Sequence, residues 1–223
     1  MNASSKRKLR FLAGFVVYFG AVWFLWDTPL VYPLKIFVVL LHEVSHAFAA
    51  MATGGSVSRI VLDPNQGGAT YTMGGSAFLT LSAGYLGSLA WGALMVEAAR
   101  SRRIRADFVN GVVGGMVIGL TLFFIRGGFG MAFGALFGLS LMVLARKASL
   151  DLNRSVLLTL GMTSSLYAIL DIKSDILDRP QLESDAHMLA DLTGVPTVAW
   201  GVLWIGVALG VTFLLFRRAY RKA

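Results

Sequence analysis

Apolar positions in this chain fall in long unbroken blocks, not at every third or fourth residue, and short basic clusters separate the blocks. Seven apolar segments can be drawn, at about 11–26, 34–53, 76–98, 107–125, 128–145, 155–171 and 196–216. A bilayer core about 30 Å thick takes roughly 20 residues of helix at about 1.5 Å rise each. Most of the segments reach that length; the first is short for a full crossing. The pattern predicts an all-α polytopic membrane protein with six or seven transmembrane helices. Only Arg126-Gly127-Gly128 separates the fourth and fifth segments, which predicts a tight helical hairpin.

The texture changes between the second and third segments. Val57, Ile60 and Val61 precede a Pro64-Asn65-Gln66-Gly67-Gly68 turn, and Ala69-Thr70-Tyr71-Thr72 has strand character, so a short β-hairpin is expected here. Small residues recur at every fourth position in Gly84/Ser88/Gly92, Gly111/Gly115/Gly119 and Gly130/Gly134/Gly138. Such stripes allow close backbone approach and are expected to be packing faces of a compact bundle. No long repeat or linker divides the chain, so a single membrane-embedded domain over residues 1–223 is expected.

Composition agrees with this picture. The chain is 56% hydrophobic and 14% charged, whereas soluble domains carry about 25% charged residues. The net charge of +8 would suit nucleic acid, but the basic residues sit in caps beside apolar blocks: Lys6–Arg10, Arg100–Arg105, Arg146-Lys147 and Arg217–Lys222. That is the distribution favoured by anionic headgroups and the positive-inside effect, and no nucleic-acid partner is expected. The last three clusters are two helices apart and share a side. The first is three helices from the second, which puts it opposite unless segment 11–26 lies partly in the interface. No small-x-small site follows that segment, so it reads as an uncleaved anchor. The chain has no cysteine, which excludes disulfides, thiolate metal sites and a cysteine nucleophile.

The chemistry lies in the second segment, where His42-Glu43-Val44-Ser45-His46 spells HExxH. Residues four apart share a helix face, so both imidazoles can reach one zinc ion about 2.0–2.1 Å from each nitrogen. Glu43 is offset but close enough to take a proton from a zinc-activated water. With three histidines and three glutamates in 223 residues, chance placement of this motif is about 1 in 2,000. Ionisable groups in hydrocarbon cost about 2.5–3.5 kcal/mol each on insertion scales and persist mainly for function.

A hydrolytic zinc site takes three protein ligands, so another element must supply the third. Asp171 leads, because it ends an apolar span between Leu170 and Ile172; Asp175 ranks second, and Asp185 and His187 remain open. Glu97, beside Arg100, and Glu183 are the only glutamates that offer an alternative, and neither lies deep in an apolar helix.

The stretch HEVSHAFAAMATGGSVSRIVLDPNQGGATY resembles the M50 group of site-2-type intramembrane proteases, in its M50B-like branch. SAGYLGSLAWGAL, YAILDIKSD and SDAHMLADLTGVPTVAWGVLW are similar to later segments of that branch. The resemblance implies one zinc ion bound by His42, His46 and Asp171. It also implies substrate presented as an extended strand near Gly67–Tyr71. Better-known members carry the aspartate in an LDG or NPDG setting; Leu170-Asp171-Ile172 keeps the Leu-Asp pair without the glycine.

The expected function is zinc-dependent endoproteolysis of a membrane-embedded, single-span protein substrate, with Glu43 as general base. The alternatives are a catalytically inactive M50-like protein that holds membrane clients and a metal-ion transporter, although a transporter has no need of Glu43. The lipid bilayer is the expected surroundings, a prokaryotic plasma membrane the expected location, and any regulatory partner is unspecified.

Overall fold

The computed structural model describes residues 3–25, 28–173 and 184–222. Its elements run α1 (Ala3–Phe24), α2 (Tyr32–Ala52), β1 (Ser56–Asp63), β2 (Gly67–Met73), α3 (Ala77–Arg100), α4 (Ala106–Phe123), β3 (Ile125–Arg126), α5 (Gly128–Lys147), α6 (Leu150–Lys173), α7 (Asp185–Thr193) and α8 (Thr197–Lys222). Six of the described helices are long and apolar enough to cross a membrane: α2 to α6 and α8. The apolar part of α1, Leu12–Val22, is shorter than a crossing needs. The chain is a helical polytopic membrane protein.

α2 is the central helix. Pro33 in its first turn has a fixed φ suited to helix entry. Ile36, Phe37, Val38 and Leu40 are wholly buried, as expected of a helix that is apolar all round. α3 runs antiparallel beside it, with Gly84 at His42 and Thr80 at His46. On the far side of α3 lies α6. A Cβ on Gly92 would stand 2.8 Å from the Gly161 carbonyl oxygen, and Ser164 Oγ donates to the Ser88 carbonyl at 2.7 Å.

The hairpin forms as the sequence predicts and folds back along α2. Thr53 Oγ1 accepts from Ser76 N–H at 2.9 Å and ties its base, while Tyr32 Oη donates to the Pro64 carbonyl at 2.7 Å and holds its tip. Two of its glycines are conformational necessities: Gly54 and Gly75 have φ of 87° and 77°. The α4–α5 link turns tightly too, but it also contributes a strand. β3 pairs parallel with β1 through Ile60↔Ile125, both wholly buried, giving the sheet order β2-β1-β3.

Two further points differ from the sequence reading. Between the sixth and seventh apolar segments, where no element is drawn, lies α7. Ser184 caps its first turn by accepting from His187 N–H, and Gly194 at φ 73° ends it. On α4, the residues that contact the bundle are Asn110, Gly114, Val117 and Thr121. Gly115 and Gly119 face open space, so the stripe Gly111/Gly115/Gly119 lies about a residue's rotation away from the packed face.

The basic clusters also come together. Lys8 Nζ stands 5.3 Å above the Tyr220 ring, and Arg218 pairs with Glu97 at 3.7 Å. The N-terminal cluster therefore lies at the end of the bundle where α3 and α8 finish. Tyr18 Oη reaches Thr163 Oγ1 at 2.7 Å, part-way along α6. Among the described residues six helices meet the length and composition of a crossing, and α1 is not one of them.

Candidate metal centre

His42 and His46 lie one turn apart on α2, with rings in an edge arrangement at 4.7 Å between centroids. His46 Nδ1 is 2.7 Å from the Thr80 carbonyl oxygen. A carbonyl can only accept, so Nδ1 carries the proton and Nε2 presents its lone pair inward. His42 packs edge-on to Tyr85 at 5.0 Å, and Tyr85 in turn packs on Trp204 of α8 at 4.9 Å.

The carboxylate that meets both rings comes from α7. Asp185 Oδ2 is 2.9 Å from His42 Nε2 and 3.2 Å from His46 Nε2. It is buried, yet it makes no hydrogen bond of acceptable geometry. Three buried ligand atoms thus converge without being bonded to one another. Ligands about 2.0–2.1 Å from a tetrahedral ion would be about 3.3 Å apart, so this trio suits a metal closely. α3 provides the wall behind it. A Cβ on Gly84 would overlap the His42 ring and stand 2.6 Å from Asp185 Oδ2.

Glu43 occupies the neighbouring position and is buried. Thr70 Oγ1 is 2.8 Å from Glu43 Oε2 and 2.9 Å from its backbone carbonyl, linking β2 to the carboxylate. A Cβ on Gly68 would come within 2.6 Å of Glu43 Oε1. Glycine is required there so that the strand can lie directly on the carboxylate. His42, Glu43 and His46 also meet the spacing for a metal-holding group. Two buried carboxylates beside two imidazoles are balanced in charge by one dication, which relieves the cost of burying unpaired anions.

The other sequence candidates are distributed differently. Asp171, the expected third ligand, places Oδ2 3.9 Å from His42 Nδ1, on the opposite side of the ring from Asp185. The end of α6 brings it behind the histidine and not between the two Nε2 atoms. His187, two residues beyond Asp185 on α7, is half-buried, with Nε2 3.9 Å from Asp191 Oδ2. Glu97 is occupied at the basic end with Arg218. Asp175 and Glu183 lie outside the described residues. The local sequence around Asp185 carries a capping pattern, with Ser184 before it and Gly194 and Pro196 after it, marking a short helix with its acid in the first turn.

No curated protein and no solved structure matches this chain. The model of the family described as Peptidase M50B-like matches residues 15–215, most of the chain. With a helical membrane fold and a His-Glu-His group able to hold a metal, the chain belongs to the Peptidase M50B-like family, a membrane metalloprotease kind.

Proposed function

We propose that this protein is a zinc-dependent intramembrane endopeptidase in which His42, His46 and Asp185 hold one zinc ion and Glu43 is the general base. The observation that supports it most is the placement of Asp185 Oδ2 between the two Nε2 atoms without hydrogen-bond geometry. Asp171 stands 3.9 Å from His42 Nδ1, beyond hydrogen-bond length but on the side from which an outer carboxylate would orient a metal-binding imidazole. Zinc, when bound, would supply Lewis acidity, polarising the scissile carbonyl and lowering the pKa of water to about 7.

The remaining steps belong to the protein. Thr70 donates to Glu43 Oε2, leaving Oε1 to accept the proton of the attacking water and to return it to the departing amine. A substrate helix hides its peptide bonds in its own hydrogen bonds and must unwind before attack. The freed segment of a single-span protein would add as a strand to the outer edge of β2, because β1 is flanked on both sides by β2 and β3. Gly68 and Thr70 on β2 touch Glu43. Pairing on that edge therefore brings the substrate backbone beside the base.

Wild type and Glu43→Gln, compared for bound zinc and for cleavage of a panel of single-span proteins, test the reading. Both are expected to bind zinc at one per chain, and Glu43→Gln to lose at least about 100-fold in cleavage rate. Cleavage that survives the substitution would remove Glu43 from the mechanism. Zinc binding without cleavage in wild type would favour an inactive, client-holding member of the family.

A further inference from the structure

At the basic end of the bundle, α4 begins where α5 finishes, and the antiparallel pair leaves a groove of about 880 Å³ between them. Gly111 and Ala145 form its floor, where a Cβ on Gly111 would be 3.6 Å from that of Ala145. Ile104, Phe108, Val112 and Met142 make apolar walls, and Arg103, Arg105 and Arg146 form the rim. The volume lies in the range of about 300–1,000 Å³ typical of small-molecule sites.

We propose that this groove binds one anionic glycerophospholipid, its phosphate-bearing headgroup at the arginines and the start of an acyl chain along the Phe108–Val112 wall. The charge argues for an anion. Arg105 is engaged with Asp107 at 2.6 Å, so three guanidiniums and one carboxylate leave the rim with a surplus of two positive charges. The N-terminus of α4 opens at the same place, and the side chain of its cap residue Arg105 bonds to the Asp107 carboxylate and caps no backbone N–H of the first turn. The walls argue for a lipid in place of a free phosphate. Phe108 and Val112 are strongly exposed on a membrane-spanning helix, and the groove runs from the basic end into that span. Basic pockets between transmembrane helices are suited to headgroups of this kind. The inference needs only that the chain spans a membrane, and it stands apart from the proposed protease chemistry.

Delipidated full-length protein in neutral detergent, titrated with phosphatidylglycerol or phosphatidylcholine and read by native mass spectrometry, tests it. Wild type is expected to retain one phosphatidylglycerol at least about tenfold more tightly than phosphatidylcholine. Arg103→Gln/Arg146→Gln should lose that preference by tenfold or more. Gly111→Leu, which fills the floor, should weaken binding while leaving the rim charged. Arg217→Gln/Arg221→Gln removes equal charge elsewhere and should leave the preference intact. Inorganic phosphate in millimolar excess should not displace the lipid. Equal retention of the two lipids, equal loss in the control pair, or displacement by phosphate would each overturn the proposal.

Discussion

The interfaces α2–α3 and α4–α5 are both antiparallel helix contacts lined with glycine, and they use the missing side chains for different ends. On α3, the space that a Cβ would fill at Gly84 holds the His42 ring and Asp185, and at Gly87 it holds the Ser45 hydroxyl. On α4 and α5, the corresponding space at Gly114 and Gly138 holds backbone carbonyl oxygens, Ile118 and Met142. In one interface glycine makes room for polar atoms that need a shaped, dry cavity. In the other it brings apolar side chains and backbones into dispersion contact, and among the described residues there the Thr121 hydroxyl at Gly134 is the one polar side chain so housed. A small residue every fourth position therefore does not separate the wall of a site from ordinary packing. The partner helix decides.

The largest expected effect tests which carboxylate completes the α2–α3 cavity. Asp185→Asn should reduce zinc affinity more than Asp171→Asn, which as an outer-shell change should cost about 10–100-fold. Zinc titration against a competing chelator measures both. A larger loss in Asp171→Asn would return the third-ligand role to Asp171 and make Asp185 the outer group.

Gly84→Ala addresses the wall itself. Its Cβ would overlap the His42 ring, so zinc content per folded molecule should fall at least about tenfold. Gly138→Ala is its counterpart, with a Cβ 2.8 Å from Ile118 Cγ1. It should cost about 1–3 kcal/mol of stability through overpacking and leave zinc per folded molecule unchanged. If both variants lower only the thermal midpoint, the functional distinction between the two interfaces is lost.

Thr70→Val probes the contact between the hairpin and the base. Loss of a hydrogen bond to a charged group costs about 1.5–3 kcal/mol, so kcat should fall about 10–100-fold with zinc content unchanged. Thr70→Ser, which keeps the hydroxyl, should recover most of the rate. A rate retained by Thr70→Val and lost by Thr70→Ser would show that the methyl group, not the hydroxyl, matters at this position.

The part of this arrangement encoded locally was legible in the sequence. His42, Glu43 and His46 follow from helical period on one helix, and the hairpin follows from its Pro-Asn-Gln-Gly-Gly turn. Apolar block length predicted six or seven crossings, and six of the described helices are long and apolar enough. Asp185 was harder because its position depends on α7 returning against α3 and α8, a tertiary event that no period records. The apolar neighbours that favoured Asp171 do reflect a place near the centre, but they do not say which side of the imidazole a helix end will reach. β3 was hidden for a similar reason: two residues have no alternation, and only Ile60 beside Ile125 makes them a strand.

The smallest expected effect separates the two faces of α4. Gly114 is buried, and a Cβ there would meet the Gly138 carbonyl oxygen at 2.8 Å and Met142 Cγ at 2.9 Å. Neither a backbone oxygen nor a packed helix can yield without moving α5, so Gly114→Ala should destabilise by about 1–3 kcal/mol. Gly115, one position on, has nothing within 4 Å. Alanine there meets only lipid and gains helix propensity worth up to about 1 kcal/mol, so Gly115→Ala should leave the thermal midpoint unchanged or raise it slightly. Thermal unfolding of both variants in the same detergent reads the difference directly. If Gly115→Ala were the more damaging, α4 would have to be turned by about 100°, the rotation of one residue. That turn would put Val112 in the place of Gly111 opposite Ala145 and fill the groove beneath Arg103 and Arg146.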